Sequence, residues 1–153
     1  METPCPKCGQ AALPSSEEET RSFANIEVIA PSRTLVCGSC GHAFTSPNRD
    51  RAIDLDVARK LSEMGARNKE AFRFMRRALG YTAAELGELL GVEPETLSRW
   101  ETGKRAIPSC QMTNLASLVL DRQRGRDSMV ARLRAVVENT RGGPDAPLHV
   151  TRV

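Results

Sequence analysis

The sequence predicts an α+β protein in which a small β unit built around a metal ion precedes an all-helical unit. Three observations carry this prediction: four of the five cysteines form two pairs near the N-terminus, β-favouring residues lie between the pairs, and the later part of the 153-residue chain repeats apolar residues at helical spacing. The charge divides in the same way, because residues 1–50 carry a net charge of −2 and residues 51–153 carry +5. The two parts therefore favour different partners, and the basic part favours an anionic one.

The composition narrows the class of protein. Apolar residues make up 40% and charged residues 27%, whereas aromatic residues make up only 4%, so that any core is mainly aliphatic. No apolar run approaches the ~18–20 residues that a membrane-spanning helix needs, and the first residues lack the apolar centre of a signal peptide. We therefore expect a cytoplasmic protein without a membrane partner.

The paired cysteines predict a metal site. Each pair has the pattern Cys-x-x-Cys-Gly, which lets two thiolates grip one ion because the glycine permits a tight turn. Two such pairs complete a closed tetrahedral shell, so we expect one structural Zn²⁺ per chain. A rubredoxin-like iron centre is disfavoured because only Phe23 and Phe44 are available as an aromatic shell, and disulfides are disfavoured in a reducing compartment. The predicted ligands are Cys5, Cys8, Cys37 and Cys40.

Two further side chains of these types receive other interpretations. His42 follows the second pair closely, but four thiolates already fill the shell, so we expect it to face solvent. Cys110 has no histidine nearby in sequence, and we interpret it as a small apolar residue near a helix start rather than a nucleophile.

The pattern of turn residues predicts the organisation of the N-terminal half. Residues 21–29 and 33–37 favour strands joined by a turn at Pro31-Ser32, residues 13–20 favour a loop, and residues 45–50 favour a linker. Apolar residues at 53, 57, 61 and 64 then predict a helix that ends at Gly65. The predicted units are a zinc ribbon (1–48), a linker helix (49–65), a DNA-binding and dimerisation domain (66–140) and a disordered tail (141–153).

Residues 68–103 predict a helix-turn-helix. A helix ends at Gly80, and Thr82 with Glu85 forms the capping box of a second helix. Gly91 provides a turn, and a third helix begins at Pro94 and runs to Gly103. On this third helix Leu97 and Trp100 would pack inward, which turns the remaining side chains outward.

The outward side chains are candidates for DNA contact, because the N-terminal end of such a helix reaches base edges in the major groove. The fork of Arg99 can grip guanine O6 and N7 together, although it could instead be a surface charge paired within its helix. Lys104 and Arg105 would meet phosphates, or simply solvate a turn. Arg76 is expected to form an inward ion pair with Glu101. The full candidate set is Thr82, Glu95, Thr96, Ser98, Arg99, Lys104 and Arg105.

A further apolar stripe follows the helix-turn-helix, with Met129, Leu133, Val136 and Val137 at helical spacing within residues 126–139. We interpret it as a dimerisation helix. Packing within one subunit is a nearly equal alternative.

Two resemblances sharpen these predictions. Residues 68–120, which include FRFMRRALGYTAAELGELLGVEPETLSRWETGKRAIP, resemble the Xre/Cro-type helix-turn-helix. Together with the ribbon CPKCG … CGSCG, the chain over roughly residues 1–120 resembles the MqsA antitoxin family, also called YgiT-type zinc finger proteins. The resemblance implies a zinc ribbon that engages a small ribonuclease toxin, and a homodimeric helix-turn-helix that represses its own operon from a palindromic operator. It also implies that the four cysteines are the ligands and that Arg99 is the main base-reading arginine.

The chain departs from these families at two positions. Glu95 stands where the best-known members carry an asparagine, which implies a different operator because glutamate accepts from cytosine N4 but repels phosphate. Ala83 stands where many Xre-type domains carry a DNA-touching glutamine.

The sequence contains no set of residues that favours catalysis or a small-molecule substrate, so we expect no enzyme. The function predicted is a sequence-specific repressor and type II antitoxin that neutralises a toxin and autoregulates its operon. The alternative is a stand-alone zinc-ribbon and helix-turn-helix transcriptional regulator without a toxin partner.

Overall fold

A computed structural model describes residues 3–138, and the predicted tail at 141–153 lies outside them. Six short strands precede six helices, which confirms the α+β prediction. The strands are β1 (Thr3–Pro4), β2 (Ala11–Pro14), β3 (Glu18–Phe23), β4 (Ile26–Pro31), β5 (Leu35–Cys37) and β6 (Ala43–Phe44). The helices are α1 (Pro47–Glu63), α2 (Lys69–Ala78), α3 (Ala83–Leu90), α4 (Pro94–Glu101), α5 (Ser109–Gln123) and α6 (Ser128–Glu138). Within the described part of the chain, no helix has both the length and the apolar content that crossing a bilayer requires.

The strands form two sheets, and the predicted pairing between them was wrong. The antiparallel four-stranded sheet has the order β1-β2-β5-β6, whereas β3 and β4 pair only with each other. The β3–β4 hairpin closes at Ala24-Asn25, where Ala24 takes a φ of 55°, so residues 21–29 contain a turn instead of one continuous strand. The expected loop at 13–20 is reduced to residues 15–17, because both flanking segments find partners: β2 pairs with β5, and β3 with β4.

The β3–β4 hairpin shares the core of the helices. Its inward residues Phe23, Val28 and Ala30 belong to the same buried cluster as the apolar faces of α1 to α5. The rings of Phe23 and Phe74 meet edge to face with centroids 4.9 Å apart, a favoured aromatic geometry. The hairpin is thus inserted in sequence between the two cysteine pairs but packs on the helical unit.

Helix α1 begins earlier than the predicted linker at 45–50 allowed. Pro47 occupies its first turn, where the fixed φ of proline suits a helix and the missing N–H is not needed. Its buried residues are Ile53, Val57, Ala58 and Leu61, and Gly65 follows the helix end with a φ of 70°, as predicted.

The predicted helix-turn-helix features are confirmed with small shifts in its bounds. Thr82 and Glu85 form both hydrogen bonds of the capping box, and Gly91 ends α3 with a φ of 67°. Helix α4 ends at Glu101, two residues before the predicted stop at Gly103, because the Thr102 N–H turns back to helical carbonyls.

Helix α6 satisfies both interpretations of its apolar stripe in part. Met129 and Leu133 are half-buried against the helical core, where α6 packs on α3 and α5. Val136 is 76% exposed and Val137 is 42% exposed. Packing within the subunit therefore accounts for the first half of the stripe and leaves the second half uncovered.

Candidate functional site

The two cysteine pairs form matching turns at one end of the four-stranded sheet. In the first, the Gly9 N–H donates to the Cys5 carbonyl at 2.8 Å, and in the second the Gly41 N–H donates to the Cys37 carbonyl at 2.9 Å. The glycines have φ values of 74° and 68°, a left-handed conformation that is strained for other residues. The predicted knuckles are therefore present twice with the same backbone geometry.

The four sulfur atoms converge on one point. All four lie within 4.8 Å of one another, with Cys5 Sγ 3.8 Å from Cys40 Sγ and Cys8 Sγ 3.5 Å from Cys37 Sγ. A tetrahedral ion with Zn–S bonds of ~2.3 Å sets its sulfurs about 3.8 Å apart. The donor set and its spacing therefore fit a thiolate-bound metal ion such as zinc.

The electrostatics of the cluster also favour a cation. Backbone N–H groups of Cys40 and Ser39 lower the pKa of the Cys37 thiol to about 6. The pKa of Cys8 rises instead to about 12, because hydrogen bonds with the Cys37 and Cys40 sulfurs, together with burial, outweigh the lowering effect of the Gln10 backbone N–H. Four adjacent sulfurs cannot all be thiolates without a compensating positive charge, which a bound metal ion supplies when present.

The two residues given other interpretations stay outside the cluster of sulfurs. His42 is half-buried and stacks on Phe44 with ring centroids 5.8 Å apart, so it faces solvent less fully than predicted. Cys110 lies in the first turn of α5, as predicted, with its side chain exposed.

Helix α4 is fixed by two apolar anchors. Leu97 is fully buried, and Trp100 is 2% exposed, with its ring edge to face against Phe72 at 5.9 Å. The predicted inward ion pair is confirmed beside them: Arg76 Nε donates to Glu101 Oε1 at 2.6 Å, and Arg76 Nη2 donates to Oε2 at 3.0 Å. These contacts hold the orientation of α4 and so decide which of its side chains face outward.

The outward side of α4 carries the predicted reading residues. Glu95, Ser98 and Arg99 are exposed, whereas Thr96 is half-buried and less accessible. Among residues 3–138, Arg99 takes part in no ion pair, so the alternative of a charge paired within its helix has no support. An unpaired guanidinium on this side is free to form two hydrogen bonds to a guanine edge.

The basic turn after α4 gains a residue that the sequence did not indicate. Lys104 and Arg105 are both exposed, and the Arg105 N–H donates to the Arg99 carbonyl at 3.1 Å, which folds the turn back on the helix. Nζ of Lys69 would lie 3.2 Å from a Cβ atom placed on Gly103. Three cationic side chains therefore lie around this turn, although Lys69 is distant from the other two in sequence.

Thr82 lies at the start of α3 with its hydroxyl already engaged. The hydroxyl donates to Glu85 Oε2 at 2.8 Å and accepts from the Glu85 N–H at 3.2 Å. Hydrogen bonds from the Thr82 backbone N–H, and then from its hydroxyl, lower the pKa of Glu85. The structure thus explains Thr82 as a helix cap, and its contact with DNA stays a prediction.

Gly87 is a second residue that the sequence analysis missed. A Cβ atom there would lie 2.7 Å from the backbone carbonyl oxygen of Val92, so only glycine allows α3 and the α3–α4 turn to approach this closely. The available signal was a glycine inside a helix, where it costs ~1 kcal/mol relative to alanine and so usually has a packing reason.

Comparison with known proteins agrees with this geometry. A helix-turn-helix family model matches residues 72–109, about a quarter of the chain, from within α2 to the start of α5. No curated protein and no solved structure shows significant similarity to the chain. The helix-turn-helix family is a family of DNA-binding regulatory domains and not of enzymes. Residues 72–109 therefore form a DNA-binding helix-turn-helix, and the protein is a DNA-binding transcriptional regulator with a four-cysteine site that can hold a metal ion.

Proposed function

We propose that the protein is a sequence-specific transcriptional repressor that binds a palindromic operator as a homodimer. The observation that carries the proposal is the exposed, unpaired Arg99 on a helix held from behind by Leu97 and Trp100. Glu95, Thr96 and Ser98 would complete the reading side, and Thr82, Lys104 and Arg105 would hold the backbone. The exposed half of the α6 stripe supports dimerisation, since Val136 has no cover within the described chain. Such a repressor acts in the cytoplasm, where the operator is.

The metal ion of the proposal is one structural Zn²⁺ per chain, held by Cys5, Cys8, Cys37 and Cys40. All four positions of a tetrahedral shell would be filled by thiolates, so the ion would stabilise the sheet and leave no open position for catalysis.

We further propose that the protein is the antitoxin of a type II toxin–antitoxin system, which neutralises a small toxin and represses its own operon. The support is the order of the parts, a four-cysteine ribbon before a helix-turn-helix, together with the net charge of −2 over residues 1–50, which suits a basic partner. A small basic reading frame beside the gene, whose toxicity is relieved by co-expression, is the test.

The stand-alone regulator without a toxin has one observation in its favour. The β3–β4 hairpin shares its core with the helices, so the N-terminal half also has a structural role that needs no partner protein. A neighbouring frame that is absent, or harmless when expressed alone, would support this alternative.

The DNA-binding proposal is tested by separating base reading from backbone contact. Operator selection on the purified protein supplies the cognate duplex, and titrations then compare it with a scrambled duplex at several salt concentrations. Arg99→Ala should cost roughly 1–3 kcal/mol on the cognate duplex alone, with relaxed preference at one base pair per half-site. Lys104→Ala should weaken both duplexes alike and lower the salt slope by about one unit.

Glu95→Ala is the third variant in this series. Because its carboxylate repels phosphate and can accept from cytosine N4, its removal should tighten binding to the scrambled duplex while loosening sequence choice. Equal loss on both duplexes for Arg99→Ala would make Arg99 a phosphate contact and refute the assignment of the reading side.

A further inference from the structure

A second cationic surface lies outside the recognition helix. Three arginines line one open groove: Arg51 from α1, Arg77 from α2 and Arg122 from α5. The floor between them is apolar and includes Leu55, and the groove reaches the end of α2 at Gly80. The helices that supply Arg51 and Arg122 extend beyond the segment matched to the helix-turn-helix family.

The charge of this groove is unbalanced. No carboxylate lines it, and none of the three arginines forms an ion pair within residues 3–138. Like charges gathered on one concave surface repel one another and raise the local positive potential, which is a cost to stability that a bound anion offsets.

One of the three side chains is held in position. Arg122 Nη1 approaches the Leu79 carbonyl at 3.5 Å, Nη2 approaches the Tyr81 hydroxyl at 3.4 Å, and its guanidinium lies 5.9 Å from the centroid of the Tyr81 ring. Such contacts reduce the entropy that the side chain loses when it binds a ligand. Arg51 and Arg77 are exposed and free to approach the same ligand.

The groove is adjacent to the start of the helix-turn-helix. Gly80 at its end is two residues from Thr82, a span of at most ~7 Å, and Thr82 caps the N-terminus of α3. In a helix-turn-helix complex the first helix of the motif crosses the DNA backbone, and helix N-termini favour phosphate. The backbone that passes the start of α3 would therefore pass this groove.

We propose that Arg51, Arg77 and Arg122 form a phosphate-binding groove that holds the DNA backbone beside the segment read by α4. The inference rests on the proposed DNA-binding function and extends the contact surface to α1 and α5. Its ligand is the phosphodiester group, without regard to base sequence.

The test uses the full chain with zinc bound and charge-removing variants that keep side-chain length. Arg51→Gln and Arg77→Gln should each weaken binding to cognate and scrambled duplexes by the same factor. Each should also lower the slope of log K against log salt by about 0.9, and the double variant by about 1.8. Arg122→Gln adds a third measurement, but Arg51→Gln is decisive because Arg51 makes no contact whose loss could disturb the fold. Arg59→Gln removes the same charge from α1 outside the groove and should leave the slope unchanged.

A titration of wild-type protein with inorganic phosphate, followed through the arginine Nε–Hε signals, distinguishes DNA from a free anion. Saturable phosphate binding in the groove, combined with an unchanged DNA slope in Arg51→Gln and Arg77→Gln, would overturn the proposal in favour of a small anionic ligand. An unchanged slope without phosphate binding would overturn it outright. If Arg99→Ala and Lys104→Ala weaken DNA binding while the groove variants do not, only the groove proposal fails, whereas wild-type protein that binds no duplex refutes the proposed function itself.

Discussion

The four-stranded sheet and the β3–β4 hairpin lie side by side in sequence but are stabilised in different ways. The sheet has a buried cluster of only four residues, Cys5, Ala12, Leu35 and Cys37, and two of them are candidate metal ligands. The hairpin, with no cysteine, places Phe23, Val28 and Ala30 in the large core of the helices. A cluster as small as that of the sheet cannot offset the entropy of ordering its chain, so the sheet depends on a metal ion and the hairpin does not.

The comparison shows that the N-terminal half is not one unit in physical terms. Removal of the metal should affect segments on both sides of the hairpin in sequence and leave the hairpin in place. Side-chain contacts tie the two parts together: the Arg49 guanidinium donates to the Ser32 carbonyl, and Asp54 binds Arg21 and Arg33. The following predictions test each part of this division.

The largest effect is expected from Cys37→Ser, which removes one metal ligand. Structural zinc sites contribute ~10–16 kcal/mol of apparent binding free energy, so the four-stranded sheet should unfold when the site fails. Amide signals of residues 3–14 and 35–44 should lose their dispersion, while those of α1 to α5 and the hairpin keep theirs. Elemental analysis should find one zinc per wild-type chain and little in the variant.

Cys110→Ser is the matched control, because Cys110 is exposed in the first turn of α5 and should not affect zinc content. Iron in the wild-type protein, or helices that unfold together with the sheet, would contradict the comparison.

The next largest effect is expected from Phe23→Ala in the hairpin. Truncation of a buried phenylalanine costs about 3–5 kcal/mol of unfolding free energy, and Phe23 is only 6% exposed. Denaturant unfolding monitored by helical circular dichroism should show this loss while zinc stays bound. Ile29→Ala changes a 66% exposed residue of the same hairpin and should stay within about 0.5 kcal/mol of wild type. Zinc loss without a change in helical stability would place the hairpin with the sheet instead.

The sequence predicted the parts of this fold that depend on local chemistry. The cysteine spacing, the Thr82–Glu85 capping box and the turn at Gly91 are short-range patterns, and each has the expected geometry. The strand pairing was wrong because pairing depends on which segments meet in space. Residues 21–29 are β-favouring throughout, so their composition does not show the turn at Ala24-Asn25.

The candidate site divides along the same line. Leu97 and Trp100 follow from helical periodicity, and they fix which side of α4 faces outward. The approach of Lys69 to Gly103 joins distant segments, and nothing in the sequence around either residue predicts it. Gly87 was detectable in principle, but its reason is the carbonyl of Val92 across the turn, which only the folded chain brings near.

A smaller effect is expected from Asp54→Asn, which loosens the connection between the sheet, the hairpin and α1. Asp54 Oδ1 lies 2.6 Å from both Arg21 Nη1 and Arg33 Nη2. All three side chains are partly exposed, so solvent screening limits the loss of unfolding free energy to about 1 kcal/mol. Glu63→Gln breaks the single Arg59–Glu63 pair of α1 and should cost only ~0.3–0.5 kcal/mol. Equal losses in the two variants would show that the double pairing adds no stability.

The smallest effect concerns Glu19, which joins the hairpin to the segment before β5. Its Oε1 accepts the Arg33 backbone N–H at 3.1 Å, and this bond is the main reason that the pKa of Glu19 falls below 4.5. The Ser32 hydroxyl and the charges of Arg21 and Arg33 lower the pKa further, against the effect of desolvation. Since the folded pKa is the lower one, the stabilisation is complete above pH 4.5 and is lost as the pH falls through the folded pKa. Glu19→Gln should therefore lower the melting temperature slightly at neutral pH and converge with wild type in acid, whereas Glu18→Gln, the same charge change one residue earlier, should run parallel to wild type. Acid also releases metal from the thiolates, but this affects all three proteins alike, so the difference between their melting curves isolates Glu19. A constant difference at every pH would mean that the carboxylate charge adds nothing to the link between hairpin and sheet.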